Sequence, residues 1–108
     1  MKKMSKLKIK DDIWYDVQFG VSERSLLEQL AEEAAELAQA ALKYIRTFKD
    51  SDNPTPVGEV EALNRIHEEF TDVLLVCDLL GIEKQDDVYL RKLHRWHERL
   101  KENEESKE

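Results

Sequence analysis

Three stretches of the chain carry apolar residues at the three- and four-residue steps that predict amphipathic helices. In the first, which ends at about Phe48, the stripe consists of Leu27, Leu30, Ala34, Leu37, Ala41 and Ile45, with Ala31 and Ala38 beside it. In the second, from about Glu59 to Leu80, it consists of Val60, Leu63, Ile66, Phe70, Val73, Leu74, Cys77 and Leu80. The third begins near Asp86 or Asp87 and carries Tyr89, Leu93, Trp96 and Leu100. We therefore expect an all-α protein.

Residues that begin and end helices separate these stretches. Ser22 or Ser25 can cap the first helix, and Ser25 with Glu28 fits the capping-box pattern. The segment 49–58, KDSDNPTPVG, holds both prolines and a cluster of polar turn residues, so the chain leaves the helix and turns there. Gly81 is a stop signal for the second helix. The fold predicted is thus a long helical hairpin plus a third helix.

The segments outside the long helices have their own patterns. Residues 1–10 alternate lysines with apolar residues and are expected to be a loosely attached lead-in. Residues 101–108 contain no apolar residue and are expected to be disordered. The segment 12–20 concentrates aromatic residues, which favours a short helix that covers the core; the alternative is a platform for a nucleobase, formed by Trp14 or Phe19. The whole chain, 1–108, is interpreted as one domain.

A domain of 108 residues buries only a limited part of its surface. After Asp72 the second helix is apolar on nearly every side, and a helix of that kind must be buried all round, which one hairpin cannot achieve. We therefore expect a homodimer or homotetramer in which hairpins complete a four-helix-type bundle.

Charge and composition narrow the function. The net charge of -7 argues against binding of a nucleic acid polymer, because that binding depends on Lys and Arg that neutralise phosphates. Cys77 is the only cysteine, so no intramolecular disulfide can form. The basic start lacks the apolar core of a signal peptide, and the longest apolar run, Val73 to Cys77, cannot span a bilayer. These features predict a soluble cytoplasmic protein with no membrane partner.

Two pairs of carboxylates are the informative chemical feature. Glu33 and Glu36 lie one turn apart on the first helix, and Glu69 and Asp72 do so on the second. The pairs are offset by 36 residues, which is about ten full turns, so both occupy one wheel angle at the border of the apolar stripe. In a hairpin, four acidic side chains can converge there. Like charges packed together require a compensating cation, and oxygen ligands without His or Cys favour Mg²⁺, with Mn²⁺ as a substitute.

The segments LLEQLAEEAAELAQAALKYIR (26–46) and NRIHEEFTDVLLVCDLLGI (64–82) resemble the MazG-like, all-α NTP pyrophosphohydrolase superfamily. The resemblance covers about half of the chain and rests on an EExxE motif on one helix and an ExxD motif on the next. It implies Mg²⁺-dependent hydrolysis of a nucleoside triphosphate to the monophosphate and pyrophosphate, a form of nucleotide-pool housekeeping, in dimers or tetramers of helical hairpins.

The resemblance also implies roles for individual residues. Matched by motif position, Glu33, Glu36, Glu69 and Asp72 would ligate Mg²⁺, and Glu32 would take a second ion or orient water. One departure is that 32 residues, 37–68, separate the two motifs, which is at or beyond the long end for the family. The loop around its two prolines is a candidate insertion that reaches over the site and affects base choice.

The triphosphate would also need cationic side chains, since the chain has no Gly-rich phosphate loop. Lys43, two turns beyond Glu36, and Arg95 on the third helix are the candidates, and a solvated face is an equal alternative for both. Arg65 is interpreted as an ion-pair partner of Glu69 one turn away. The rival hypothesis from another class is a non-enzymatic helical interaction or regulatory module with solvated acidic faces.

Overall fold

The computed structural model describes residues 11–55 and 57–107, and within them every regular element is a helix. The helices are α1 (Asp12–Gly20), α2 (Glu23–Ile45), α3 (Glu59–Leu80) and α4 (Asp86–Lys107). The predicted all-α class, the hairpin and the short aromatic helix are therefore confirmed. The predicted lead-in, residues 1–10, lies outside the described residues. No described helix combines the length and apolar character needed to cross a membrane.

The starts of α1 and α2 are set by side-chain caps. The Asp11 carboxylate accepts hydrogen bonds from the backbone N–H groups of Ile13 and Trp14, at 3.0 and 3.3 Å. Ser22 is the cap of α2, and its hydroxyl accepts from the backbone N–H of Ser25 at 3.1 Å. The capping box predicted for Ser25 is therefore wrong. The backbone of Ser22 is extended, which is the conformation that a residue needs to cap the start of a helix.

Helices α2 and α3 pack against each other as the antiparallel hairpin that forms the centre of the fold. The inner face of α2 repeats at three- and four-residue steps and consists of Leu26, Leu30, Glu33, Leu37, Ala40 and Tyr44, all buried or half-buried. The inner face of α3 consists of Ala62, Ile66, Glu69, Val73, Val76 and Leu80. Each face is thus a continuous stripe interrupted by one glutamate.

The inner faces differ from the predicted stripes. Of the stripe predicted for α2, Leu30 and Leu37 are inside, whereas Leu27, Ala34 and Ala41 are exposed. Both helices are apolar over more than one face, and periodicity cannot tell which of two neighbouring faces meets the other helix of the same chain. The remaining apolar residues form a second stripe about 100° away on each helix.

Helix α1 covers the end of the hairpin where α2 begins and α3 ends. Trp14 is buried and packs with Leu26 and Leu79, so the prediction that the aromatic segment covers the core is confirmed for this residue. The Gln18 side-chain amide donates a hydrogen bond to the backbone oxygen of Leu79 at 3.2 Å. Gly81 ends α3 at a positive φ of 75°, as its predicted role as a stop requires.

Helix α4 begins at Asp86, as predicted, and continues to Lys107. The prediction of a disordered tail from residue 101 is therefore not met over the described part of that segment. Glu and Lys are good helix formers, and adding residues to an existing helix is favourable even without an apolar face. Apart from Val88, the side chains of α4 that the structure describes are exposed, including the predicted apolar stripe.

Candidate metal centre

Two of the predicted ligands, Glu33 and Glu69, lie on the inner faces of the hairpin. Sequence periodicity places them at the border of the apolar stripes, but the actual inner faces are rotated relative to the predicted ones. Glu33 and Glu69 consequently lie among the residues that α2 and α3 present to each other, and Glu69 is only 2% exposed. Because of the 36-residue offset, they occupy matching positions on the two helices.

Three of the predicted ligands come together. Glu33, Glu36 and Glu69 each present a carboxylate oxygen, and these oxygens lie within 4.8 Å of one another. Two ligand oxygens of one octahedral Mg²⁺ are about 4.2 Å apart when opposite and about 3.0 Å apart when neighbouring, given its bond length. From separations of at most 4.8 Å, rotation of the glutamate side chains would bring the three oxygens to one ion.

Two oxygens of this cluster are buried without a hydrogen-bond partner among the described residues. They are Oε1 of Glu33 and Oε1 of Glu69. A buried carboxylate oxygen that accepts no hydrogen bond is destabilising, because it has lost water and gained nothing in exchange. These two oxygens therefore destabilise the metal-free protein, and a cation bound to them would remove that cost.

Arg65 supplies part of the compensating charge. Its Nε lies 3.0 Å from Oε2 of Glu69, and its Nη1 lies 3.5 Å from a carboxylate oxygen of Glu68. The predicted ion pair between Arg65 and Glu69 is thus confirmed. One guanidinium cannot neutralise three clustered carboxylates, so the cluster keeps a net negative charge when all three are ionised.

Within the cluster, the pKa of the Glu69 carboxyl is shifted by its surroundings. Burial raises the pKa of the Glu69 carboxyl above its ordinary value of 4.5, and the Arg65 guanidinium opposes that shift. A side-chain hydrogen bond with the Glu36 carboxyl, which needs a proton on one of the two groups, raises the pKa of Glu69 further, and so do the negative charges of Glu36 and Asp72. Burial and like charge therefore disfavour the ionised form that a metal ligand needs, and a bound cation would reverse that preference.

This pKa shift predicts how the stability of the metal-free protein depends on pH. The folded state holds the Glu69 proton more tightly than the unfolded chain does. The resulting stabilisation is fully present below the unfolded value of 4.5 and is lost as pH rises through the raised folded value. We expect Glu69→Gln, which cannot ionise, to gain in free energy of unfolding relative to the wild type as pH rises from 4.5 towards neutrality.

Urea unfolding in the presence of a chelator, at several pH values across this interval, measures that difference. Glu68→Gln is the matched control, because Glu68 is the adjacent residue and its carboxylate is exposed. A difference between Glu69→Gln and the wild type that does not change with pH would show that the Glu69 carboxyl ionises in the folded protein as it does in the unfolded chain.

The other two predicted carboxylates lie near the cluster but outside it. Asp72 is half-buried and, with Glu33, lines a cavity of about 380 Å³ between α1, α2 and α3. Glu32 is exposed, and it does not belong to the group of converging oxygens. The structure therefore separates the five predicted acidic residues into a group of three, one neighbour and one surface residue.

A second, polar cavity of about 140 Å³ lies on the other side of the cluster. It is lined by Glu36, Gln39, Ala40, Lys43 and Arg65. Lys43, a predicted phosphate contact, therefore shares a cavity with a carboxylate of the cluster. Arg95 is exposed on α4 and lines neither this cavity nor the larger one.

The aromatic residues suggested for a nucleobase are placed differently from each other. Trp14 is packed in the core, and Phe19 is 82% exposed and stacked on Tyr15. Neither lines the cavity beside Glu33 and Asp72, and their role in binding a base stays a prediction.

Sequence reasoning missed Gln29, whose amide donates to Oε2 of Glu33 at 2.6 Å. The one available signal was its position one turn before Glu33.

Comparison of this chain with protein-family models, with curated proteins and with solved structures finds no match.

Proposed function

We propose that this chain is a Mg²⁺-dependent nucleoside triphosphate pyrophosphohydrolase, which converts an NTP or dNTP to the monophosphate and pyrophosphate. The observation that carries the proposal is the convergence of three carboxylates from α2 and α3. Two of these carboxylates, those of Glu33 and Glu69, each have a buried oxygen with no hydrogen-bond partner among the described residues. The same three residues belong to the EExxE and ExxD motifs, whose resemblance to pyrophosphohydrolases suggests the reaction.

The proposed ion would be held by Glu33, Glu36 and Glu69, with Asp72 beside them. The donor set consists only of oxygens, which suits a hard divalent cation, and Mn²⁺ is the expected substitute. When bound, such a cation neutralises phosphate charge, polarises the phosphoryl group and lowers the pKa of water. Within the protein, α2 and α3 fix the carboxylates through their packing, and Gln29 orients the Glu33 carboxylate through its hydrogen bond.

The phosphates of the substrate would extend into the polar cavity. Lys43 and Arg65 line it together with Glu36, so positive side chains adjoin the carboxylate cluster on that side. A negatively charged polyphosphate tail is stabilised there by the ammonium and guanidinium groups. Arg95 remains a candidate from the sequence only.

The proposed reaction needs no nucleophile from the protein. Water adds to the α or the β phosphorus and gives up a proton to the solvent, the bond between that phosphorus and the oxygen that bridges the α and β phosphates breaks, and nucleoside monophosphate and pyrophosphate are formed. The side chains contribute by position and charge, because Lys43 and Arg65 can stabilise negative charge on the pyrophosphate part.

The proposed active form is a homo-oligomer built on the second apolar stripe of the hairpin. On α2 this stripe includes Leu27, Ala34 and Ala38, and on α3 it includes Phe70 and Leu74, all exposed. On each helix the second stripe lies about 100° from the inner face, in the same rotational direction. Because the two helices are antiparallel, both second stripes therefore lie on the same side of the hairpin. Glu36 and Asp72 lie on the opposite side. A second copy, packed against the second stripes as the other half of a four-helix bundle, would cover them and leave the carboxylates accessible.

A panel of NTPs and dNTPs tests the activity. We expect pyrophosphate release from at least one nucleotide in the presence of Mg²⁺ and none after chelation, because the carboxylates alone supply no positive charge to the phosphates. Each nucleotide is incubated with enzyme well above trace concentration, and pyrophosphate and monophosphate are both measured. Absence of both products from every nucleotide, with Mg²⁺ and with Mn²⁺, would contradict the proposal.

The alternative is a non-enzymatic helical interaction module. The observation that favours it is the exposed apolar stripe of α4, which consists of Tyr89, Leu93, Trp96 and Leu100. Exposed apolar stripes of this kind mark partner-binding surfaces. The nucleotide panel separates the two hypotheses, since an interaction module has no turnover.

A further inference from the structure

The larger cavity adjoins the carboxylate cluster at the end of the hairpin that α1 covers. Its volume of about 380 Å³ lies in the range of small-molecule sites, about 300–1,000 Å³. Val17 and Val21 form one wall, and Leu75 on α3 forms another. Apolar walls with a few polar groups at one end are the usual construction of a site for a small, flat ligand.

The neutral polar groups of this cavity, Ser25 and Gln29, come from α2. Gln29 donates one N–H of its amide to Glu33, which leaves its second N–H and its carbonyl oxygen for another partner. The Ser25 hydroxyl accepts a hydrogen bond from Ser22 at 3.0 Å, and its own proton can be donated. An amide presents a donor and an acceptor side by side, which complements the edge of a nucleobase.

The cavity shares one residue, Glu33, with the site proposed for the cation. Glu33 belongs to the carboxylate cluster and also lines the cavity, together with Asp72. On the far side of the cluster, Glu36 is shared with the polar cavity that contains Lys43. The order along α2 is therefore amide, carboxylates, ammonium, over about 21 Å from Gln29 to Lys43 at the rise of an α-helix.

We infer that the larger cavity binds the nucleoside part of the substrate, with Gln29 as the residue that discriminates among bases. The substrate then lies in one direction along α2, with its base near α1 and its terminal phosphates near Lys43. This inference rests on the proposed function. It adds the location of the base, the orientation of the substrate and a residue that determines specificity.

The test of the cavity uses the nucleotide that is hydrolysed best in the panel. Val17→Trp places a large side chain in the cavity and should raise KM for that nucleotide at least about 10-fold, because pocket shape discriminates by such factors. Ile13→Trp is the matched control, since Ile13 lies one turn earlier on α1, is 72% exposed and does not line the cavity. Its KM should equal that of the wild type.

The test of Gln29 uses a ratio. Gln29→Met removes the donor and the acceptor and should reduce the ratio of kcat/KM between the best and the second-best base at least about 10-fold. Misplacement of Glu33 alone would slow all nucleotides equally and leave that ratio unchanged. Lys43→Met should show the opposite pattern, with a raised KM for every triphosphate and an unaltered base ratio.

The outcomes separate this inference from the proposed function. A wild-type protein that hydrolyses no nucleotide contradicts the function itself. If the wild type hydrolyses nucleotides but Val17→Trp behaves like Ile13→Trp, the cavity does not bind the nucleoside. Should Val17→Trp lose its helical circular dichroism, Val21→Trp replaces it, because Val21 lies after α1 in extended backbone and lines the same cavity. An unaltered base ratio in Gln29→Met contradicts its role in specificity.

Discussion

Glu69→Gln should lower turnover of the best nucleotide at least about 100-fold, since loss of a proposed direct ligand should exceed the 10- to 100-fold effect typical of groups that only support ligands. The substitution keeps the size of the side chain but removes its negative charge. Glu69 is 2% exposed and lies within the hairpin, so no solvent molecule can easily replace its carboxylate as a ligand. The expected loss is therefore in kcat/KM for every nucleotide.

The same variant should remain folded, and this makes the result interpretable. In the metal-free protein the Glu69 carboxylate is buried, and one of its oxygens has no hydrogen-bond partner among residues 11–55 and 57–107, so a neutral amide relieves charge repulsion with Glu36. In the wild type, Mg²⁺ at about 100 times its Kd should stabilise the fold by about 2.7 kcal/mol. Thermal unfolding with and without Mg²⁺ measures this effect, and it should be much reduced in Glu69→Gln.

Glu68→Gln is the control for both measurements. It makes the same chemical change at the next residue, where the carboxylate is exposed and lies 3.5 Å from Arg65. We expect wild-type turnover and wild-type stabilisation by Mg²⁺. If Glu69→Gln itself turned over nucleotide at the wild-type rate, the metal centre would be misassigned even though the chain hydrolysed nucleotides.

Ala38→Glu should convert the proposed dimer to a monomer. Ala38 is exposed on the second stripe of α2, so a glutamate there costs little in a single hairpin. At an interface between two copies it would bury an unpaired carboxylate from each chain, which is strongly unfavourable. We expect the dissociation constant to rise at least about 100-fold, and turnover to fall with the fraction of dimer if the active form is the oligomer.

Sedimentation at micromolar concentration measures the mass, which should be at least twice the 12.7 kDa of one chain in the wild type. Ala35→Glu provides the comparison, because Ala35 is also exposed but lies about 180° from the inner face, where no neighbour is expected. Its mass should match that of the wild type. A wild-type protein that sediments as a monomer would contradict the proposed homo-oligomer.

The helices were predictable because the signals that define them are local. Gly81 adopts the positive φ that glycine favours, and Ser22 accepts a hydrogen bond from a backbone N–H three residues later. The length of α4 was not predictable from its apolar stripe, because its last residues are helical without one.

The candidate site was predictable as a set of residues but not as an arrangement. The spacing within and between the motifs predicted that Glu33, Glu36, Glu69 and Asp72 converge, and the first three of them present oxygens to one another. The depth of Glu69 could not be derived, because it depends on which of two apolar faces α2 and α3 present to each other. The spacing of Gln29 from Glu33 allowed a hydrogen bond between them, but the cavity that Gln29 lines could not be derived, because α1 completes it.

The sequence by itself determined the helices, the turn between them and the acidic motifs, because caps, helical periodicity and turn residues act over a few positions. Only the tertiary structure decided that a glutamate lies in the middle of each inner face and that cavities flank the carboxylates on both sides. These features depend on contacts between residues far apart in the chain. The packing of α2 against α3 excludes water from the Glu69 carboxylate, and that exclusion makes a bound cation its expected partner.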